Sequence, residues 1–186
     1  LGGGITYGNM GATLGRLNLA AADRAQDAAT ARTHGDFPKV NLDVARLQSL
    51  PVGLQGHARL SVQWALGKNL DSSEGFGAGG PSGVRAYPVG EAYGDEGWLS
   101  QWELRYPMGS LVPYVFYDAA SIKLKTRPWS AGNNLRNIAG AGLGLRGLWR
   151  SVTWESALAW RTRGGAPLAD TRDRHPQLWV SVQVAF

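Results

Sequence analysis

The last stretch of the chain, Leu178-Trp179-Val180-Ser181-Val182-Gln183-Val184-Ala185-Phe186, alternates apolar and other residues with a period of two. Leu178, Val180, Val182, Val184 and Phe186 fall on one face, and Trp179, Ser181, Gln183 and Ala185 on the other. That period belongs to a strand with two different faces and is incompatible with an amphipathic helix. It recurs over much of the chain. Leu60, Val62, Trp64 and Leu66 oppose Gln55, His57, Arg59, Ser61 and Gln63; Trp98, Trp102, Leu104 and Tyr106 oppose Gln101, Glu103 and Arg105; Val152, Trp154, Leu158 and Trp160 oppose Thr153, Glu155, Ala157, Ala159 and Arg161. The expected strands are 1–7, 12–20, 36–47, 54–67, 97–107, 111–123, 137–148, 151–163 and 176–186. The Ala-rich segment 19–33 is the best helical stretch but has no clear apolar stripe.

Most of these strands exceed the five or six residues usual in water-soluble sheets and approach the roughly ten that a tilted strand needs to cross a hydrocarbon layer. The connections alternate short (8–11, 48–53, 108–110, 149–150) and long (21–35, 68–96, 124–136, 164–175). Tight turns at one end and long loops at the other characterise an up-and-down membrane barrel. The expectation is therefore an all-β fold, a transmembrane antiparallel up-and-down β-barrel. Tyr and Trp near strand ends suit an interfacial girdle, and polar residues on the opposite face suit a watery lumen. Nine strands is an odd number, and the first residues, Leu-Gly-Gly-Gly, lack an initiating Met, so the expectation is an incomplete barrel spanning 1–186. The terminal Phe186 reads as the aromatic signature recognised by the outer-membrane insertion machinery.

Composition closes off other classes. There is no Cys, hence neither disulfide framework nor thiol chemistry. The net charge of +5 is spread along the chain without a basic run, which argues against nucleic acid as a partner. His34, His57 and His175 are scattered, no Gly-x-Ser-x-Gly occurs, and Gly75-Phe76-Gly77-Ala78-Gly79-Gly80 matches no phosphate-binding loop. Neither an enzyme nor a cofactor or metal site is expected. Two carboxylates remain. In Val115-Phe116-Tyr117-Asp118-Ala119-Ala120, burial of Asp118 against lipid would be costly, so Phe116, Asp118 and Ala120 are assigned to the lumen and Val115 and Tyr117 to lipid. Glu103 lies on the preceding strand, also facing the lumen. Arg85, in the turn-rich segment GGPSGVRAYPVGEAYGDEGW, either reaches these carboxylates through an inward-folded loop or is solvated outside; spacing leaves both open.

Asn69-Leu70-Asp71-Ser72-Ser73-Glu74, Gly79-Gly80, Val84-Arg85-Ala86-Tyr87-Pro88, Gly94-Asp95-Glu96-Gly97 and Phe116-Tyr117-Asp118-Ala119-Ala120 resemble, in order, the transporters of two-partner secretion, the haemolysin and filamentous-haemagglutinin secretion/activation proteins. The resemblance implies the carboxy-terminal part of a sixteen-stranded outer-membrane barrel, with periplasmic POTRA domains upstream. It also implies a secreted, β-helical partner protein that is unfolded in transit, and outer-membrane lipid around the barrel. The long loop would fold into the lumen, with Val84 and Tyr87 flanking its tip. Arg85 would pair with Asp118 of the wall motif; Glu103 is a second candidate partner from its place on the adjacent strand, not from the resemblance. Ala86 and Ala120 stand where the family usually has Gly, and Ala86 would be strained if its position demands positive φ. A barrel assembly factor of the same superfamily and a plain porin are the alternatives.

Overall fold

The computed structural model describes residues 3–185; the expected insertion signal at Phe186 lies outside them. The dominant feature is one eight-stranded antiparallel sheet built in simple meander order. Its strands are β1 (Gly4–Leu17), β2 (Gly35–Ser49), β3 (Gln55–Trp64), β6 (Glu96–Arg105), β7 (Leu111–Lys123), β8 (Leu135–Trp149), β9 (Val152–Arg163) and β10 (Gln177–Val184). The two remaining strands, β4 (Phe76–Gly77) and β5 (Tyr93–Gly94), pair only with each other, in the long segment between β3 and β6. Every wall strand pairs with its sequence neighbour, including β3 with β6 across that long segment. The first and last wall strands are not paired to each other, so the sheet is not closed. It is part of an all-β, up-and-down barrel wall.

The structure corrects the strand count at the start of the chain. Residues 8–11 do not form a turn: β1 runs through them, with Gly8 opposite Val44, Asn9 opposite Asp43, Met10 opposite Leu42 and Gly11 opposite Asn41. Gly and Asn favour turns locally, but a continuous ladder against β2 satisfies their backbone groups and outweighs that preference. The expected strands 1–7 and 12–20 are thus one, and the wall has eight strands among the described residues. Long and short connections still alternate, as 18–34, 50–54, 65–95, 106–110, 124–134, 150–151 and 164–176. The first long connection carries a helix, α1 (Ala21–Ala29), so its helical propensity is realised inside a loop.

The two faces of the wall differ as the alternation requires. Trp98, Trp102, Val115, Tyr117, Leu143 and Val182 stand exposed on the outer face. A contiguous apolar surface of that kind marks a surface meant to be covered. The described residues contain no helix long and apolar enough to cross a membrane. The main apolar core lies on the inner face. There Val84, Ala86, Tyr87 and Ala92 of the 65–95 segment pack against Leu99, Tyr114, Phe116, Ile122, Ile138 and Ala157 of the wall. Burying a side chain such as Val84, wholly inaccessible here, contributes about 1.5–3 kcal/mol. The core therefore joins a loop to a wall rather than one sheet to another.

Candidate functional site: a lid anchored on the barrel wall

The 65–95 segment enters and leaves at the loop-rich end and lies against the inner face of the wall as a lid. Its limbs are tied by backbone hydrogen bonds: Ala78 N–H donates to Ala92 O, Gly79 N–H to Glu91 O and Gly80 N–H to Tyr87 O. At the tip, Val84 N–H donates to Ala78 O and Tyr87 N–H to Val84 O, which winds 78–87 into a compact knot. Gly83 sits where a Cβ would meet Ala78 O at 2.2 Å, so this crossing admits no larger residue. Side chains from the wall complete the tip. Gln101 Nε2 donates to Gly83 O at 3.0 Å and Trp179 Nε1 donates to Arg85 O at 2.7 Å.

Arg85 is buried and meets both carboxylates. Its Nε and Nη2 donate to the two oxygens of Asp118, each at 2.8 Å, in the two-pronged geometry that suits guanidinium and carboxylate. Its backbone N–H donates to Asp118 Oδ2 at 3.1 Å, and its Nη1 donates to Glu103 Oε1 at 2.6 Å. The guanidinium carbon lies 3.6 Å from the centre of the Phe116 ring, a close cation–π contact. Phe116 can lie across the wall because its neighbour is Gly142, where a Cβ would come within 2.4 Å of the ring. Burial opposes the charge on Arg85, but the hydrogen bonds and field of Asp118, then the field of Glu103, outweigh it and hold its proton more firmly than usual.

The pair is the end of a longer charge network. Glu103 also accepts from Arg105 and Arg146, Arg146 reaches Glu155, and the Tyr114 hydroxyl donates to Glu155. Arg85, Arg105 and Arg146 balance Glu103, Asp118 and Glu155 in charge. Buried ions of this kind persist only when each is matched, because an unmatched one carries the full desolvation penalty. Phe116, Asp118 and Ala120 are all buried on the inner face, and Val115 and Tyr117 are exposed on the outer. Ala86 is not strained by handedness, since positive φ among non-glycine residues occurs at Arg32, Val52, Leu66, Ala92 and Arg150. Its methyl group instead occupies space left by Gly140 of β8, where an added Cβ would lie 2.3 Å from Ala86 Cβ.

Sequence reasoning missed Arg146, Tyr114, Glu155 and Trp179 as parts of this site. The period of two that places Gly140 and Gly142 inside also places Arg146 inside, and it puts Trp179 opposite Leu178 and Val180. The signal was present, but nothing local says how far the lid extends across the wall. Tyr87 has its own seat: its ring is fully buried, and its hydroxyl lies 2.7 Å from Arg163 O and 3.0 Å from Gly165 O beyond the end of β9.

Comparison with known proteins agrees with this architecture. The family model of the haemolysin secretion/activation proteins ShlB/FhaC/HecB matches residues 1–147. The chain is 28% identical, over 98% of its length, to the heme/hemopexin transporter protein HuxB of Haemophilus influenzae strain 86-028NP, and 31% identical over the same share to another HuxB of Haemophilus influenzae. It spans 33% of the length of each. No solved structure matches. With an open meander wall, an inserted lid and a family model covering most of its residues, the chain belongs to the haemolysin secretion/activation protein family ShlB/FhaC/HecB, whose members are secretion transporters and not enzymes.

Proposed function

We propose that this chain is the carboxy-terminal part of an outer-membrane pore that passes a large secreted partner protein to the cell surface, with the 65–95 lid as its gate. The observation that carries the reading is Arg85, buried in the lid tip and held by Asp118 and Glu103 of two adjacent wall strands. A plain porin keeps an open pore, whereas here the loop is locked across the wall by buried charge. In this reading the apolar outer face contacts outer-membrane lipid, and further strands complete the barrel, because open strand edges are not tolerated in hydrocarbon. POTRA domains upstream hold the partner unfolded, and the partner folds outside into a β-helix. The relatives named heme/hemopexin transporters suggest a partner connected with heme capture. Passage needs no nucleotide; folding of the partner outside makes it irreversible.

The test uses the full-length transporter expressed with its secreted partner. Arg85→Ala is expected to abolish or strongly reduce surface delivery of the partner while the barrel still inserts, judged by heat-modifiable migration of the unboiled protein. Wild-type delivery by that variant refutes the gate. Loss of other outer-membrane proteins on depletion, with the secreted partner unaffected, would instead indicate a barrel assembly factor.

A further inference from the structure

Glu91 is as deeply buried as Asp118 and lies in the returning limb of the lid, away from the Arg85 network. Its carboxylate is fully engaged. Arg136, at the start of β8, donates from Nε to Oε1 at 2.7 Å, and its Nη2 lies 2.6 Å from the same oxygen. The other oxygen accepts the backbone N–H groups of Leu168 and Ala169 at 2.7 and 2.9 Å. Arg136 in turn donates to Gly164 O and Ala166 O. One carboxylate and one guanidinium thus join three pieces of chain: the lid, the wall and the 164–176 loop. Tyr87 reaches the start of the same loop through Gly165 O.

We infer that Glu91 and Arg136 form a second latch, separate from the Arg85 anchor, that makes the 164–176 loop move with the returning limb of the lid. Rigid coupling follows from the donors involved. Two consecutive backbone amides aimed at one oxygen fix the loop's position as well as its distance, and a neutral amide side chain at position 91 cannot accept from both sides at once. The Arg85 anchor grips wall side chains whose positions are set by the strand register. The Glu91 latch grips a loop backbone, whose position no strand register sets. Lid and loop therefore leave the wall together once Arg136 and the Arg161–Asp173 pair let go, while the tip is released only when Asp118 and Glu103 do.

This rests on reading the 65–95 segment as a transport lid, and the test separates the two. Hydrogen exchange is followed on the full-length protein in lipid nanodiscs for wild type, Glu91→Ala and Arg136→Lys. The amides of Leu168 and Ala169 are expected to exchange roughly tenfold faster or more in Glu91→Ala, as loss of their acceptor implies. Arg136→Lys, which keeps the charge but loses the fork, is expected to give a smaller increase at the same amides. The Arg85 amide, bonded to Asp118, is expected to keep its wild-type rate in both. Unchanged exchange at 168–169 overturns the latch, and so does equal acceleration at Arg85, which would mean one cooperative lid. Faster exchange at 168–169 alone supports it. If that pattern holds while Arg85→Ala delivers the partner at the wild-type level, the latch stands and the lid's role as gate falls.

Discussion

The tip and the base of the lid are held by different chemistry. At the tip, Arg85 meets side chains of the wall, Asp118 on β7 and Glu103 on β6, and stacks on Phe116. At the base, buried Asn69, Asp95 and Glu91 are bonded chiefly to loop backbone. Asn69 accepts from Arg127 N–H and donates to Ala31 O and Arg127 O, and Asp95 accepts from Thr126 N–H and from Lys125. At the tip, removing Arg85 strands Asp118 out of water, and removing Asp118 leaves the buried guanidinium with one carboxylate in place of two. The base is a set of ties spread over three loops, in which the buried carboxylates of Glu91 and Asp95 are held by loop amides as well as by Arg136 and Lys125. A lid built this way is fixed to the wall at its tip and to the loops at its base.

Four experiments would break or sharpen this contrast. Asp118→Ala carries the largest expected effect: it leaves Arg85 with Glu103 alone and should loosen the tip by about 3–5 kcal/mol, read as faster exchange of the Val84 and Tyr87 amides with the base unaffected. Equal loosening at Arg127 and Leu168 would erase the distinction. Gly140→Ala drives a methyl group into Ala86 and should weaken the tip by about 1–3 kcal/mol; adding Ala86→Gly should restore most of it, and a double mutant no better than the single would show that the methyl contact is not the cause.

At the base, Asp95→Asn turns one accepting oxygen into a donor facing Thr126 N–H or Lys125, with an expected loss of about 1–2 kcal/mol confined to the 124–134 loop. Acidification should act last and least. Burial raises the pKa of Asp27, but the N–H groups of Thr33 and His34, the Thr33 hydroxyl and the charge of Lys68 lower it further, so it lies below the ordinary carboxylate value. Its contribution is present above the unfolded value of about 3.9 and is lost as the pH falls through the folded one. Circular dichroism and exchange of the 18–34 loop should therefore be steady at about pH 5 and change only below about pH 4.

Much of the wall was legible beforehand. The period of two in 54–67, 97–107, 151–163 and 176–186 marks strands because side chains on a pleated backbone must alternate between faces. The orientation of Phe116 and Tyr117 follows from the single charge beside them, Asp118, which shares a face with Phe116. The Gly8–Gly11 segment was misread because turn propensity is a local quantity, whereas pairing with 41–44 of β2 is not. The site was less legible. Arg85 and Asp118 lie 33 residues apart, and no spacing rule connects a loop to a wall. The seating of Ala86 over Gly140, the reach of Trp179 to Arg85 O and the gathering of three loops around Glu91 all depend on which strands are neighbours.

By itself, then, the sequence determined a two-faced meander of strands too long for an ordinary sandwich and the outward or inward sense of most wall residues. It also set a turn-rich segment with one Arg apart from both. Those are properties of backbone geometry and of short-range alternation. Only the tertiary structure decided that this segment folds back over the inner face, that its Arg is neutralised there by two strands at once, and that its base belongs to the loops. Burying a charge is favourable only when every partner arrives together, and the register of distant strands, not the residues near Arg85, brings them there.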